Sequence, residues 1–133
     1  MNTYLLSLGW WNFIGSLLMI GLFNPNFGKK MMNDWTKLFV HEFKLDYFGK
    51  LFMGWAIGLN IFYGIVNILA VRWNVLEMKQ VVVGFDVLAY FGFICLLIWG
   101  WRVGRLTNPG FYSSMCIFCT WFGWGAYSLF ATL

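Results

Sequence analysis

Four stretches of this chain are apolar enough and long enough to cross a lipid bilayer, and they constrain its fold more than any other feature. Each has about 20 residues, the length that a helix needs to span ~30 Å of hydrocarbon. They comprise residues 4–23, 51–71, 81–101 and 111–133. Because backbone polar groups in lipid must be satisfied within the protein, the sequence predicts an all-α integral membrane protein, a bundle of four transmembrane helices.

Composition agrees with a single membrane domain covering residues 1–133. Hydrophobic residues make up 61% of the chain and charged residues only 11%, a balance that is foreign to soluble domains of this length. The first stretch has no basic region before it and no small-residue cleavage site after it, so we interpret it as a retained helix rather than a signal peptide. The remaining loops are too short to hold a soluble catalytic domain.

The basic residues predict the orientation of the bundle. Two of the nine, Arg72 and Lys79, lie in the loop after span 2. The other seven fall in the loops after spans 1 and 3, and they are Lys29, Lys30, Lys37, Lys44, Lys50, Arg102 and Arg105. Loops rich in Lys and Arg stay in the cytoplasm, which predicts that both termini lie outside, in a bacterial or archaeal inner membrane. The basic face favours anionic membrane lipids as partners, and no soluble basic domain exists to bind nucleic acid.

The first loop has the pattern of an amphipathic interfacial helix over residues 30–47. Its apolar positions recur every three or four residues and include Trp35, Phe39, Phe43 and Tyr47, while lysines and His41 recur on the opposite face. Two interpretations stay open. The helix packs beneath the bundle as an elbow between spans 1 and 2, or its apolar face docks a partner protein.

Polar residues within the spans predict a seam through the bundle. They are Asn12, Asn60, Tyr63, Asn67, Asp86 and Tyr90. Polar groups are expensive in lipid and therefore informative. In one interpretation Asp86 is the titrating carboxylate of a proton- or cation-coupled site. In the other it holds helices together, hydrogen-bonded to Asn67 or Tyr90 or paired with Arg72 or Lys79.

Small and aromatic residues favour helix packing over chemistry. Gly54 and Gly58 form a G-x-x-x-G pair in span 2, and Gly64 follows on the face that carries Asn60 and Asn67. Aromatic residues make up 23% of the chain, more than two interfacial belts require. The surplus either fills lipid-facing and interhelical surface or lines a site for a quinone, sterol or pigment, and we predict no bound cofactor.

The cysteines form the strongest chemical motif in the sequence. Cys116 and Cys119 make a C-x-x-C in span 4, and Cys95 in span 3 lies at a comparable depth. This spacing occurs in thiol-redox proteins and in metal sites. With Met115 these thiols are candidate soft-metal ligands, while the alternative is that they are small packing residues. We predict no metal and no catalytic residue.

The stretch Cys116-Ile-Phe-Cys119-Thr120 resembles the active-site pair on the last helix of the vitamin K epoxide reductase family, another small four-helix membrane fold. That resemblance implies thiol-redox chemistry at Cys116 and Cys119. The family relays electrons through a second cysteine pair in a large first loop, whereas loop 1 of this chain has no cysteine. The predicted orientation also turns Cys116 and Cys119 toward the reducing cytoplasm.

Three classes of function follow from these features. The favoured one is a small non-catalytic subunit that packs against and stabilises a larger membrane complex of the respiratory, photosynthetic or oxygenase type. It fits the minimal loops, the G-x-x-x-G pair and the aromatic surfaces. The second is a small oligomeric transporter or channel that uses Asp86. The third is a thiol-redox membrane enzyme that uses Cys116 and Cys119.

Overall fold

The computed structural model describes residues 1–21, 38, 40–41 and 47–133, and these residues form four α-helices. The helices are α1 (Asn2–Gly21), α2 (Tyr47–Trp73), α3 (Leu76–Arg102) and α4 (Asn108–Phe130). Helices α1, α2 and α3 are long and apolar enough to cross a membrane, which fits a membrane protein. Helix α4 has 23 residues but is not among those three, since serines, a threonine and glycines dilute its apolar side chains.

The large apolar side chains of the helices point outward more often than inward. Leu18, Trp55, Leu88 and Tyr127 are each more than 60% exposed. Water would make such a surface strongly unfavourable, because each exposed leucine or tryptophan forgoes about 1.5–3 kcal/mol of transfer free energy. The same surface is well solvated by lipid tails, in agreement with the apolar composition of the helices.

Helices α2 and α3 are joined by a turn of only two residues, although the sequence predicted a loop over residues 72–80. Asn74 takes a left-handed backbone conformation with φ 55°, which asparagine adopts more readily than most residues. Its side-chain oxygen accepts a 2.6 Å hydrogen bond from Lys79 Nζ in the first turns of α3. The polar residues that suggested a loop therefore belong to the ends of two long helices.

The bundle consists of two helical hairpins. Helix α1 packs along α2 and α3 packs along α4, whereas α2 with α3 and α1 with α4 have fewer contacts. In the first hairpin the backbones touch at Gly9 and Gly64. A Cβ atom on Gly64 would lie 2.9 Å from the Gly9 carbonyl oxygen and 3.3 Å from the Phe13 nitrogen. Only glycine permits this approach between the helices.

The buried core is concentrated at the end where α2 turns into α3. The residues after α4 lie at the same end, because Gln80 Nε2 donates a 2.9 Å hydrogen bond to the Thr132 carbonyl oxygen. Side chains from all four helices converge there, and the buried ones are Tyr4, Leu5, Leu8, Asn67, Ala70, Lys79, Val83, Asp86, Tyr90 and Ser128. This end of the bundle therefore provides most of the contacts between the two hairpins.

The loops after α1 and α3 meet at the opposite end of the bundle. Val40 and Leu106 form an isolated antiparallel bridge, and the His41 backbone nitrogen donates a 3.2 Å hydrogen bond to the Arg105 carbonyl oxygen. Thr107 Oγ1 also donates to the Leu38 carbonyl oxygen. The predicted interfacial helix over 30–47 does not run unbroken here, because backbone groups of Val40 and His41 pair with the other loop.

Most of that predicted helix falls on residues that the structure does not describe. Trp35, Phe39 and Phe43, three of the four proposed docking residues, lie outside the described residues. Tyr47 is the first residue of α2. The docking hypothesis for this segment stays a prediction.

Candidate functional site

The candidate site is built around Asp86, the single acidic residue well inside one of the four described helices. Lys79, Val83, Asp86 and Tyr90 are buried at a spacing of three or four residues, so they form one stripe of α3 that faces the other helices. Asp86 is only 2% exposed. Its Oδ1 atom accepts a hydrogen bond of 3.4 Å from Asn67 Nδ2, and its Oδ2 atom has no partner among the described residues.

Asn67 presents the second polar side chain from α2. It is completely buried, and its Nδ2 atom donates both to Asp86 and to the Tyr63 carbonyl oxygen one turn earlier, at 2.9 Å. The Asn67 Oδ1 atom has no partner in the part of the chain that the structure describes. The Asn67 amide nitrogen therefore links α2 to α3, while its amide oxygen has no described hydrogen-bond partner.

Tyr4 contributes the third polar group from α1, and no sequence pattern indicated it. The side chain is completely buried, with its ring edge-on to Trp121 and Trp124 at centroid distances of 6.1 and 5.7 Å. A Cβ atom on Gly125 would lie 2.8 Å from the Tyr4 hydroxyl oxygen and 3.0 Å from Val87 Cγ2. The hydroxyl therefore sits beside the residue that follows Asp86, and no described residue hydrogen-bonds it.

Three helices thus bring three unpartnered oxygen atoms into the core. These are Tyr4 Oη, Asn67 Oδ1 and Asp86 Oδ2, which we call the buried oxygen cluster. Tyr90 lies one turn after Asp86 on the same buried stripe of α3. A buried polar group without a hydrogen bond costs about 1–3 kcal/mol. The cluster can therefore bind a group that supplies positive charge or hydrogen-bond donors.

The structure narrows the predicted polar seam to this cluster. The expected contact between Asn67 and Asp86 is present, and Tyr90 is buried on the same stripe of α3. Asn12, Asn60 and Tyr63 are only half-buried, and no hydrogen bond among the described residues links their side chains to Asp86. The continuation of the seam through Asn12, Asn60 and Tyr63 therefore stays a prediction.

No basic side chain of the described residues forms a salt bridge with Asp86. Lys79 lies two turns earlier on the same stripe and is only 6% exposed, but its Nζ atom donates to Asn74 Oδ1. Arg72 is exposed. Of the predicted alternatives for Asp86, the structure therefore contains the hydrogen bond to Asn67 and not an ion pair with Arg72 or Lys79.

The three predicted packing glycines have different surroundings. Gly64 contacts the backbone of α1, whereas a Cβ atom on Gly54 or on Gly58 would meet no described atom within 4 Å. Gly9 is the partner of Gly64, and no sequence signal marks it because α1 has no G-x-x-x-G pair. The G-x-x-x-G face of α2 is therefore not used between the helices of the described chain.

The cysteines lie on the outside of the α3–α4 hairpin. Cys95, Cys116 and Cys119 are free thiols and exposed, and Met115 is half-buried. Within the described ranges, no three His, Cys, Asp or Glu side chains come close enough together to hold a metal ion. The soft-metal and thiol-redox interpretations gain no further group from the tertiary structure.

Comparison with protein-family models, with curated proteins and with solved structures finds no match to this chain. The resemblance to the vitamin K epoxide reductase family therefore depends on the residues from Cys116 to Thr120 alone. The candidate site has to be interpreted from its own geometry.

Proposed function

We propose that this protein is a small non-catalytic integral membrane subunit that packs against and stabilises a larger membrane complex. The observation that carries the proposal is the open G-x-x-x-G face of α2. A methyl group added at Gly54 or at Gly58 would have no described atom within 4 Å, although paired glycines at this spacing are typical of close contact between membrane helices.

The flanks of this face are apolar and prominent. Trp55 is 72% exposed, Leu59 52% and Phe62 62%. At 100° per residue these three large side chains lie on one side of the glycine pair and form one wall beside it, whereas contact with fluid lipid does not require glycine. Glycine in a helix interior also costs about 0.5–1 kcal/mol relative to alanine. The pair is therefore better explained by a partner helix than by the fold of this chain.

The burial of the oxygen cluster favours a complex subunit over a transporter. Asp86 is 2% exposed and Asn67 is fully buried, so the four helices offer no polar path to either residue among the described side chains. A transport pathway requires polar groups that line a route to the site. A subunit that contributes surface to a complex has no such requirement.

The proposed subunit crosses the membrane four times, with both termini outside a bacterial or archaeal inner membrane. The contact of His41 with Arg105 supports this arrangement, because it brings the two basic loops to one end of the bundle. A respiratory, photosynthetic or oxygenase complex is the proposed partner type, since such assemblies contain many small membrane subunits. Anionic lipids are the proposed partners of the basic end.

Native purification in a mild detergent tests the proposal. We expect larger membrane subunits in stoichiometric amounts in mass spectra of the purified material. Gly58→Leu should reduce their recovery by about tenfold or more while leaving the isolated chain folded, because a Cβ atom at Gly58 meets no described atom within 4 Å. Gly92→Leu on α3 is the matched control, since Gly92 is also exposed and has no described neighbour within 4 Å. Recovery of a homo-oligomer alone would contradict the proposal.

A further inference from the structure

We propose that Asp86, Asn67 and Tyr4 form a binding site for one small monovalent cation, a proton or a sodium ion, in the core of the bundle. Such a site is independent of the subunit role, because it lies in the interior of the chain and not on its outer faces. Three oxygen atoms on three helices are each buried and each without a partner in the described structure, namely Tyr4 Oη, Asn67 Oδ1 and Asp86 Oδ2.

The hydrogen-bonding capacity of these groups shows what is missing. An ionised Asp86 carboxylate and the Asn67 amide oxygen are both acceptors, and Tyr4 adds a hydroxyl that is one donor and an acceptor. The Asp86 carboxyl accepts one hydrogen bond, the 3.4 Å contact from Asn67 Nδ2. The same Nδ2 atom also donates to the Tyr63 carbonyl oxygen. Acceptors therefore exceed donors, and a bound cation corrects the imbalance.

A proton and a sodium ion satisfy the same requirement in different ways. A proton on Asp86 Oδ2 turns that acceptor into a donor and neutralises the carboxylate. A sodium ion is a hard cation that binds carboxylate, amide and hydroxyl oxygens together. Leaving an ionised carboxylate alone in an apolar core is strongly unfavourable, so either cation stabilises the folded bundle.

The charge of the site selects a monovalent ion. Asp86 is the one acidic side chain that is buried among the described residues, and no group of three metal-ligating residues is present there. One carboxylate balances one positive charge, whereas divalent ions in proteins are held by several oxygen ligands that commonly include more than one carboxylate. A calcium or magnesium site is therefore not supported.

The described polar side chains that are buried at this end of the bundle do not supply this charge. They are Tyr4 on α1, Asn67 on α2, Tyr90 and Lys79 on α3 itself, and Ser128 on α4. Lys79 is the sole cation among them, and its ammonium group donates to Asn74 near the helix end. No described side chain therefore provides the positive charge, and the proposed cation comes from solution.

A cation that binds the folded chain more tightly than the unfolded chain raises stability by mass action. Between the dissociation constants of the folded and the unfolded chain, each tenfold rise in cation concentration stabilises the fold by about 1.4 kcal/mol. For a chain of this length that corresponds to a rise of roughly 5 °C in Tm. An Asp86 that takes up neither a proton nor a sodium ion on folding would produce no such dependence.

The test measures Tm of the full chain in lipid nanodiscs, first along a pH series in choline chloride and then with sodium chloride replacing choline chloride at constant ionic strength. We expect the wild-type Tm to rise with proton or with sodium concentration. Asp86→Asn should abolish the dependence. Glu77→Gln is the matched control, because Glu77 is an exposed acid on the same helix, and it should keep the wild-type dependence. Tyr4→Phe should weaken binding about fivefold by removing one hydroxyl.

The pH series and the sodium series together identify the ion. A response to pH alone assigns a proton, and a response to sodium at fixed pH assigns sodium. A wild-type chain that responds to neither, or an Asp86→Asn chain that responds like the wild type, would overturn the proposal.

If Asp86→Asn does not fold, the wild-type chain still decides the question. Isothermal titration with sodium chloride detects sodium binding, and infrared spectra with isotope-labelled aspartate detect a carboxylic acid that persists after the exposed acids have ionised. The label marks only three residues, Asp34, Asp46 and Asp86, so the Asp86 band is assigned by its loss in Asp86→Asn or, where that variant does not fold, by its retention in Asp34→Asn and Asp46→Asn. Absence of both signals would refute the site.

Discussion

The two halves of helix α2 carry glycines in opposite surroundings. Gly64, in the half near the turn to α3, presses against the backbone of α1 at 2.9 Å, whereas Gly54 and Gly58, in the other half, have no described neighbour within 4 Å. The first half also carries Asn67, which reaches Asp86 in the core. One helix thus has a half whose glycine contacts its own bundle and a half whose glycines have no described neighbour.

This difference shows why residue type alone does not identify an interface. The G-x-x-x-G motif indicates a helix that tolerates close approach of another helix, but which helix packs there depends on where the two helices of the hairpin cross. In this chain the intramolecular crossing uses Gly9 and Gly64, which form no such motif within one helix. The motif itself contacts no described residue of the chain.

The largest loss of stability should come from a leucine at the point where α1 and α2 cross. Gly64→Leu puts a side chain where the Gly9 carbonyl oxygen lies 2.9 Å away, and backbone atoms cannot yield as a flexible side chain can. We expect the free energy of unfolding to fall by about 3 kcal/mol. Denaturant-induced unfolding in micelles measures the loss.

Gly58→Leu is the matched control, since it makes the same change on the same helix in open space. Its effect on the isolated chain should stay within about 0.5 kcal/mol. Equal losses for the two variants would mean that both halves of α2 pack within the bundle, and the comparison would fail.

A smaller effect should follow from alanine beside Tyr4. A Cβ atom on Gly125 would lie 2.8 Å from the Tyr4 hydroxyl oxygen and 3.0 Å from Val87 Cγ2, so Gly125→Ala should destabilise the bundle by about 1–2 kcal/mol. Gly123→Ala on the same helix has open space and should be neutral or slightly stabilising, because alanine favours helix. Thermal unfolding compares the two, and equal stability would show that the Tyr4 ring is not confined.

The smallest change in stability should accompany a test of the two ends of the bundle. In a background without the three native cysteines, Arg105→Cys and Leu133→Cys alter exposed positions and should change unfolding by less than about 0.5 kcal/mol. A membrane-impermeant maleimide should label Arg105→Cys from the cytoplasm alone and Leu133→Cys from outside alone. Labelling of both from one side would exclude the four-span arrangement, and exchange of the sides would reverse the orientation.

Much of the helical architecture could be predicted from the sequence, because apolar length is a local property. All four helices lie where the apolar stretches predicted them, and Asn67 and Asp86 are in contact as their matching depths suggested. The boundaries differ at residues 72–80, where Arg72, Lys79 and Gln80 resemble a polar loop. They are helical because the left-handed backbone conformation of Asn74 reverses the chain within a two-residue turn. The long Lys79 side chain also reaches the helix end, where its ammonium group donates to Asn74.

The candidate site could be predicted only in part. Asp86 and Asn67 are conspicuous as polar residues in apolar helices, but Tyr4 is one of six tyrosines near the end of an aromatic-rich span. Its role in the site depends on the packing of α1 against the α3–α4 hairpin and on the missing side chain at Gly125. Neither fact has a signal within the sequence around Tyr4.

The sequence by itself determined that the described chain forms four apolar helices and that Asp86 and Asn67 stand out within them, because hydrophobicity and helix length add along the chain without reference to other segments. The tertiary structure decided which glycines touch, that Asp86 bonds to Asn67 and not to Lys79, and that Tyr4 completes the buried oxygen cluster. These outcomes depend on where helices cross, and a crossing is fixed by the fit of two surfaces that are distant in sequence.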